Sequence, residues 1–136
     1  MGEVADVAIV GEVELSERVI EAALAVHAEL GPGLLESTYR DCLLLELEAR
    51  GLRAEREVAV PVRYRGRVLG KAFRVDVLVE GRLVVEVKAV EVVLGVHRAQ
   101  VLTYLRLTGL GVGLLLNFNG VRMKDGIRRV LNVRSR

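Results

Sequence analysis

Phe73 to Val90 reads FRVDVLVEGRLVVEVKAV, and this stretch limits the fold more than any other. Two valine-rich runs flank Glu80-Gly81-Arg82, which predicts two antiparallel strands joined by a short connection. The runs are almost continuously apolar, as in strands covered on both faces. Yet each run is broken by charge: Asp76 in the first, Glu86 and Lys88 in the second. A charge in a covered strand is costly unless it is paired or holds an ion.

Strand geometry narrows the reading. Side chains alternate between faces, so Glu86 and Lys88 share one. Asp76 joins them, opposite Glu86, only if the connection is the three-residue Glu80-Gly81-Arg82 or contains a bulge. A two-residue Glu80-Gly81 loop would place Asp76 opposite Val85, on the other face. Two carboxylates on one face with a lysine one step beyond suit a hard divalent cation such as Mg²⁺. Such an ion polarises a phosphoryl oxygen and acidifies water, and the lysine can stabilise developing negative charge. The competing reading is a structural carboxylate–lysine pair inside the sheet. Lysine is rare beside arginine in this chain, which favours a specific role for Lys88.

A chain of 136 residues predicts one domain with a modest core. The single cysteine, Cys42, permits no internal disulfide and fits a reducing cytosol as a small buried hydrophobe. No signal-peptide pattern and no apolar run near membrane length occurs, so a soluble, cytoplasmic protein without a membrane partner is expected. The net charge of +2 is unevenly spread. Residues 1–57 carry 13 acidic against 5 basic side chains, and residues 58–136 carry 5 against 15. A basic half suits a polyanionic partner through phosphate neutralisation, although ordinary solvated surface would look the same. Few aromatics argue against a base-stacking platform.

Residues 1–15 have weak periodicity and are expected as a frayed N-terminal arm or short edge element, with residues 16–136 as the domain. Ser16 is a candidate cap for a first helix carrying Val19, Ile20, Ala23, Leu24, His27 and Leu30 toward the core. Gly31-Pro32-Gly33 breaks it. A second helix is predicted from about Leu34 to Arg50, with Gly51 as its C′ residue and Leu35, Tyr39, Cys42, Leu43 and Leu47 buried. Glu36 stands near its start. His27 alone reads first as a hydrogen-bonded core residue, and Glu36 as a favourable helix-start charge. Extended segments Glu57–Tyr64 and Arg67–Phe73 follow around Arg65-Gly66, with Pro61 pointing to an edge. Gly95–Thr108 is the third helix, with His97, Gln100 and Tyr104 on one side and Leu102 and Leu105 toward the core. Val112–Phe118 is a buried strand, Asn119-Gly120 signals a hairpin, and Ile127–Val133 is a last strand or helical turn. Arg128, Arg129, Arg134 and Arg136 make the tail basic.

With these residues in place, the chain resembles the PD-(D/E)XK nuclease superfamily, and within it the prokaryotic GxxExxY proteins. Gly33-Leu34-Leu35-Glu36-Ser37-Thr38-Tyr39 matches the naming motif. Asp76, then Glu86-Val87-Lys88, matches the superfamily pattern, with Val75 where its proline would stand. Gln100 to Tyr104 matches a QxxxY helix motif, and His27 and Leu116-Asn117-Phe118 are similar to that group. The likeness spans about Ser16 to Val130. It implies an α/β fold of the restriction-endonuclease-like kind, an αβββαβ core with a mixed sheet flanked by helices. It further implies Asp76, Glu86 and Glu36 as metal ligands, with the Val87 carbonyl completing the set. Lys88 would position the attacking water or stabilise the transition state. Gln100 and Tyr104 would organise Lys88 and contact the DNA backbone, with His97 as a phosphate contact and Tyr39 and His27 in support. The implied activity is Mg²⁺-dependent hydrolysis of phosphodiesters, with Mn²⁺ as a substitute, on nucleic acid and above all DNA. The alternative is a non-catalytic nucleic-acid-binding or partner-binding module that keeps the fold. Homodimerisation would suit action on two strands, although no sequence feature establishes it.

Overall fold

A computed structural model of the chain describes residues 2–133, with side chains from residue 9 onward. Helix α1 (Gly2–Leu30) and helix α2 (Glu36–Ala49) come first. Strands β1 (Ala54–Tyr64), β2 (Arg67–Val79) and β3 (Leu83–Lys88) follow, then helix α3 (Gly95–Thr108) and strand β4 (Val112–Asn117). A 3₁₀ turn, Met123–Gly126, leads into β5 (Ile127–Leu131). The strands form one sheet in the order β1-β2-β3-β4-β5, antiparallel except for the parallel pair β3–β4. That parallel pair needs a crossover, and α3 is the crossover. The expected mixed sheet flanked by helices is therefore the observed fold.

The sheet has a packed layer on each face. Alternate residues Leu83, Val85 and Val87 of β3 and Leu114 and Leu116 of β4 pack with α1 and α2. Val84 and Leu115 pack on the other face, with Val101, Tyr104 and Leu105 of α3. Both faces of β3 and β4 are covered, which explains their unbroken apolar runs. Gly113 lets α3 approach the sheet closely, because a Cβ there would lie 2.7 Å from Val101 Cγ1.

Several expectations need correction, among them Leu35, which is 74% exposed just before α2 and not on its buried side. The segment anticipated as an N-terminal arm belongs to α1, and Ile9 and Val13 of that segment pack on the core. Ser16 is not a cap. It is fully buried within α1, donates to the Val13 carbonyl at 2.6 Å and accepts from Arg129 Nε at 3.1 Å. The buried stripe of α1 is Leu15, Val19, Ala22, Ala23 and Val26, while Leu24 is 41% exposed. Asn119-Gly120 closes no two-residue hairpin; β4 and β5 pair only after the 3₁₀ turn. Gly126 of that turn lies against the Asn117 carbonyl, where a Cβ would collide. Arg134 and Arg136 of the basic tail lie outside the described residues.

Other expectations hold. Helix α3 runs from Gly95 to Thr108, with Gly109 at φ 79° as its left-handed cap. Arg65 and Gly66, at φ 49° and 79°, turn β1 into β2 in the primed hairpin geometry. Pro61 sits on β1, the sheet's edge, beside a register irregularity.

Candidate active site

The β2–β3 connection sets the site's register. Val79 pairs with Leu83, so the loop is Glu80-Gly81-Arg82. Glu80 takes φ 54°, an unusual angle for a non-glycine residue. Its backbone N–H donates to the Arg53 carbonyl at 2.8 Å, and its carboxylate accepts the Arg53 N–H at 2.6 Å. Val77 lies opposite Val85 as the last pair of this register, and the next residue on each strand is Asp76 and Glu86, whose charges act on each other. The three-residue loop required by the sequence pattern is present.

The β2–β3 pairing ends at Val77 and Val85. Beyond it the Val87 N–H donates to Asp76 Oδ2 at 3.0 Å, so a carboxylate replaces a backbone acceptor. In an extended strand the N–H and C=O of one residue point to the same side. The Val87 carbonyl is therefore directed to the edge that Asp76 occupies.

Glu86 is buried, with 5% of its surface exposed. Lys88 Nζ lies 3.3 Å from Glu86 Oε2. Oε1 is buried with no hydrogen-bond partner. Burial, then the neighbouring Asp76 charge, raises the Glu86 pKa from 4.5 to about 7. Lys88 opposes the rise, and Glu36 adds the smallest upward push. The Tyr104 hydroxyl, which accepts from Gln100 Nε2 at 2.7 Å, has its pKa raised by burial and by the Glu86 charge. Tyr104 stacks on Phe73, with ring centroids 4.5 Å apart. Asp76, Glu86, Lys88, Gln100 and Tyr104 thus form one connected neighbourhood.

Glu36 lies in the first turn of α2, half-buried. Tyr39 fixes the approach to it. Its hydroxyl donates to the Gly31 carbonyl at 2.5 Å and accepts the Leu34 N–H at 3.1 Å. Its ring stacks on Phe118 at 4.8 Å. The tyrosine of the G-x-x-E-x-x-Y stretch therefore clamps the α1–α2 turn that carries the glutamate. His27 is 8% exposed, and its Nε2 donates to the Gly120 carbonyl at 2.8 Å. It ties α1 to the segment after β4. His97 serves the start of α3: its Nδ1 accepts the Leu94 N–H at 3.0 Å. The contacts of both histidines are with backbone, not with the carboxylates.

Two residues of the neighbourhood have no forecast role. Arg40 follows Glu36 by one helical turn, and its guanidinium lies 3.9 Å from Asp76 Oδ1. Arg40 Nε is buried without a partner. Its spacing from Glu36 was the available signal. Asn117 is buried at the end of β4, pairs in register with Lys88, and grips the backbone of Val90 through both N–H (3.0 Å) and C=O (2.8 Å). It steadies the chain just after Lys88.

Among the described residues no three His, Cys, Asp or Glu side chains form a ready metal cluster. The local chemistry nonetheless fits a hard divalent cation. Asp76 and Glu86 supply oxygen donors, and one Glu86 oxygen is buried with nothing to satisfy it. Mg²⁺ is commonly held by one or two carboxylates, with water and substrate phosphates at its other positions.

Residues 13–130 match the PD-(D/E)XK nuclease superfamily. The match covers most of the chain, and the protein belongs to that superfamily. Membership implies a nucleic acid as substrate, and nucleases of this class generally use divalent metals. Neither a curated protein nor a solved structure matches the chain. No helix among the described residues is long and apolar enough to cross a membrane.

Proposed function

We propose that this protein is a metal-dependent nuclease that hydrolyses phosphodiester bonds in DNA, with Asp76, Glu86 and Lys88 at its centre. The observation that carries the reading is Glu86: a buried carboxylate beside Asp76, one oxygen facing Lys88 and the other without a partner. Asp76 and Glu86 would hold Mg²⁺ or Mn²⁺, with the Val87 carbonyl and Glu36 contributing directly or through water. The cation would supply Lewis acidity to a phosphoryl oxygen and make water nucleophilic at neutral pH.

The chain's own groups have separate tasks. The Val87 N–H and the Arg40 guanidinium orient Asp76. Lys88 Nζ would orient the attacking water or meet the negative charge that develops on the phosphoryl group. Gln100 and Tyr104, hydrogen-bonded to each other, would hold the α3 side of the site and meet the substrate backbone. The narrower placement among GxxExxY proteins is supported by Glu36 and Tyr39, whose motif builds the α1–α2 turn. A cytoplasmic setting accords with the single free Cys42.

The test is a nuclease assay on single-stranded, duplex and branched DNA with Mg²⁺, Mn²⁺ or EDTA, beside Asp76→Ala and Lys88→Ala proteins purified identically. Cleavage by wild type alone, abolished by EDTA, is the expected result. Equal cleavage by the variants would make the activity a contaminant. DNA binding without cleavage would leave a binding module that keeps the fold.

A further inference from the structure

The β1–β2 hairpin outgrows the sheet. Strand β3 pairs with β2 only along Val77–Val79. From Val75 back to Arg67, β2 has β1 as its sole strand neighbour. Helix α3 covers this ribbon at Val60, Phe73 and Val75 and no further. Every residue from Arg63 to Ala72 is exposed. A two-stranded ribbon with no layer packed on it gains little stability on its own. Its persistence over about five residues, roughly 17 Å beyond Val60 at strand spacing, calls for a partner.

Composition says which partner. Between Val58 and Val75 the ribbon carries Arg63, Arg65, Arg67, Lys71 and Arg74 and no acidic residue. Among the described residues, Arg63, Arg65, Arg67 and Lys71 make no ion pair, and Arg65 lies over the Tyr64 ring at 5.4 Å. Tyr64 pairs with Arg67, and Val60 with Phe73. Alternation along β2 therefore puts Arg67, Leu69 and Lys71 on the face of Phe73. Phe73 stacks on Tyr104, whose hydroxyl feels the Glu86 charge. The basic face of the ribbon thus continues the face of the candidate active site.

We infer that this ribbon is a grip for duplex DNA, laid into the major groove next to the scissile strand, with Arg65, Arg67 and Lys71 on the phosphates. The inference rests on the nuclease reading and adds where the duplex is held. A two-stranded ribbon fits the major groove of B-form DNA, about 12 Å wide, whereas the deep, narrow major groove of A-form RNA does not admit protein in this way. Tyr64 and Leu69, 63% and 47% exposed, supply apolar contact at the groove. A second copy of the chain is a poor occupant. Pro61 and the register break spoil the β1 edge for strand addition, and a second arm would bring the same unneutralised charge.

The experiment measures binding of a labelled duplex, and of its labelled single strand, by fluorescence anisotropy across a salt series in EDTA. It compares wild type, the triple variant Arg65→Ala/Arg67→Ala/Lys71→Ala, and a control, Arg106→Ala/Lys124→Ala/Arg128→Ala, that removes equal charge outside the ribbon. Cleavage in Mg²⁺ and melting temperature are read on the same preparations. The ribbon variant should melt with wild type. Its log-affinity against log-salt slope should fall by about three, and its affinity near 0.1 M salt by on the order of a hundredfold. The control should stay within a few-fold of wild type. An equal loss in both variants would reduce the effect to net charge and overturn the grip. So would unchanged binding by the ribbon variant, or equal losses on duplex and single strands, and cleavage by wild type would then leave the nuclease reading standing. Wild type that neither binds nor cleaves would overturn both.

Discussion

Glu86→Gln isolates the cost of the carboxylate at the centre of the site. In the folded protein the Glu86 pKa is raised from 4.5 to about 7, by burial first and Asp76 second. The unfolded chain thus loses this proton at lower pH than the folded one. Stability linked to the group is fully present below about pH 4.5 and is lost as pH rises through about 7. The displacement corresponds to about 3 kcal/mol. Glutamine keeps the shape of the protonated side chain and cannot ionise. At pH 8 Glu86→Gln should therefore melt higher than wild type, by about 10 °C for a chain of this size, and the gap should close toward pH 5. Thermal unfolding followed by circular dichroism from pH 5 to 8.5 measures it. Added Mg²⁺ should narrow the gap at pH 8 by stabilising wild type alone, since binding to the folded state raises its stability by mass action. A variant that melts lower than wild type at pH 8 would refute the reasoning. The Glu86–Lys88 pair would then be a net structural asset, and the oxygen facing no partner would carry no functional meaning.

Tyr39→Phe removes both hydrogen bonds that close the Gly31–Leu34 turn while keeping the stack on Phe118; it should cost about 1–3 kcal/mol in urea unfolding and lower cleavage by loosening Glu36. Asn117→Ala frees Val90 from β4 and should reduce cleavage at least about tenfold with wild-type duplex binding, since a small displacement of a positioned group is enough; unchanged cleavage would remove Asn117 from the positioning set. Gly126→Ala should destabilise by more than about 3 kcal/mol, the upper end for overpacking, because its Cβ would meet the Asn117 carbonyl; a melting temperature near that of wild type would contradict the packing. Gly113→Ala, whose Cβ would lie 2.7 Å from Cγ1 of the stiff, buried Val101 and 3.3 Å from the Val84 carbonyl, should cost at least about 1–3 kcal/mol by the same measurement.

The parts of the fold readable from sequence are those set by local rules. Period-two arithmetic called for the three-residue Glu80-Gly81-Arg82 loop, and Val79 opposite Leu83 gives that loop, because strand register depends on little beyond loop length. Gly95 and Gly109 bracket α3 as its periodicity predicts. The misreadings share a cause in distant partners. Ser16 looks like a cap because serine favours caps, but its hydroxyl is used by Arg129, a residue far along the chain. Residues 9–13 lack an obvious stripe, and α1 extends through them because Ile9 and Val13 find the core and Glu12 pairs with Arg82 at 3.2 Å. Asn119-Gly120 has hairpin chemistry, but the close approach of Gly126 to Asn117 sends the chain through a 3₁₀ turn first. Arg40 stands one helical turn after Glu36 in the sequence, but its partner Asp76 is set by the tertiary fold, which brings α2 beside the end of β2.

The site's position follows from one irregularity. Along β2, Phe73 and Val75 pack with α3, whereas Val77 and Val79 pack with α1 and α2. Strict alternation cannot do this, since residues 75 and 77 would share a face. The strand therefore changes face at Asp76. Across from it, between the pairs Arg56–Val77 and Val58–Val75, β1 holds Glu57 at φ 49°. The same break ends the β2–β3 pairing and leaves the Val87 N–H in need of an acceptor, which Asp76 supplies through its side chain. It also turns the ribbon beyond Phe73 onto the α3 side, where Tyr104 and Glu86 lie. A regular β2 would bury Asp76 in a continuous ladder and hold the basic ribbon on the opposite face. The local departure from strand geometry thus does three jobs: it brings the Asp76 carboxylate beside Glu86, anchors that carboxylate on β3, and sets a cationic arm alongside it.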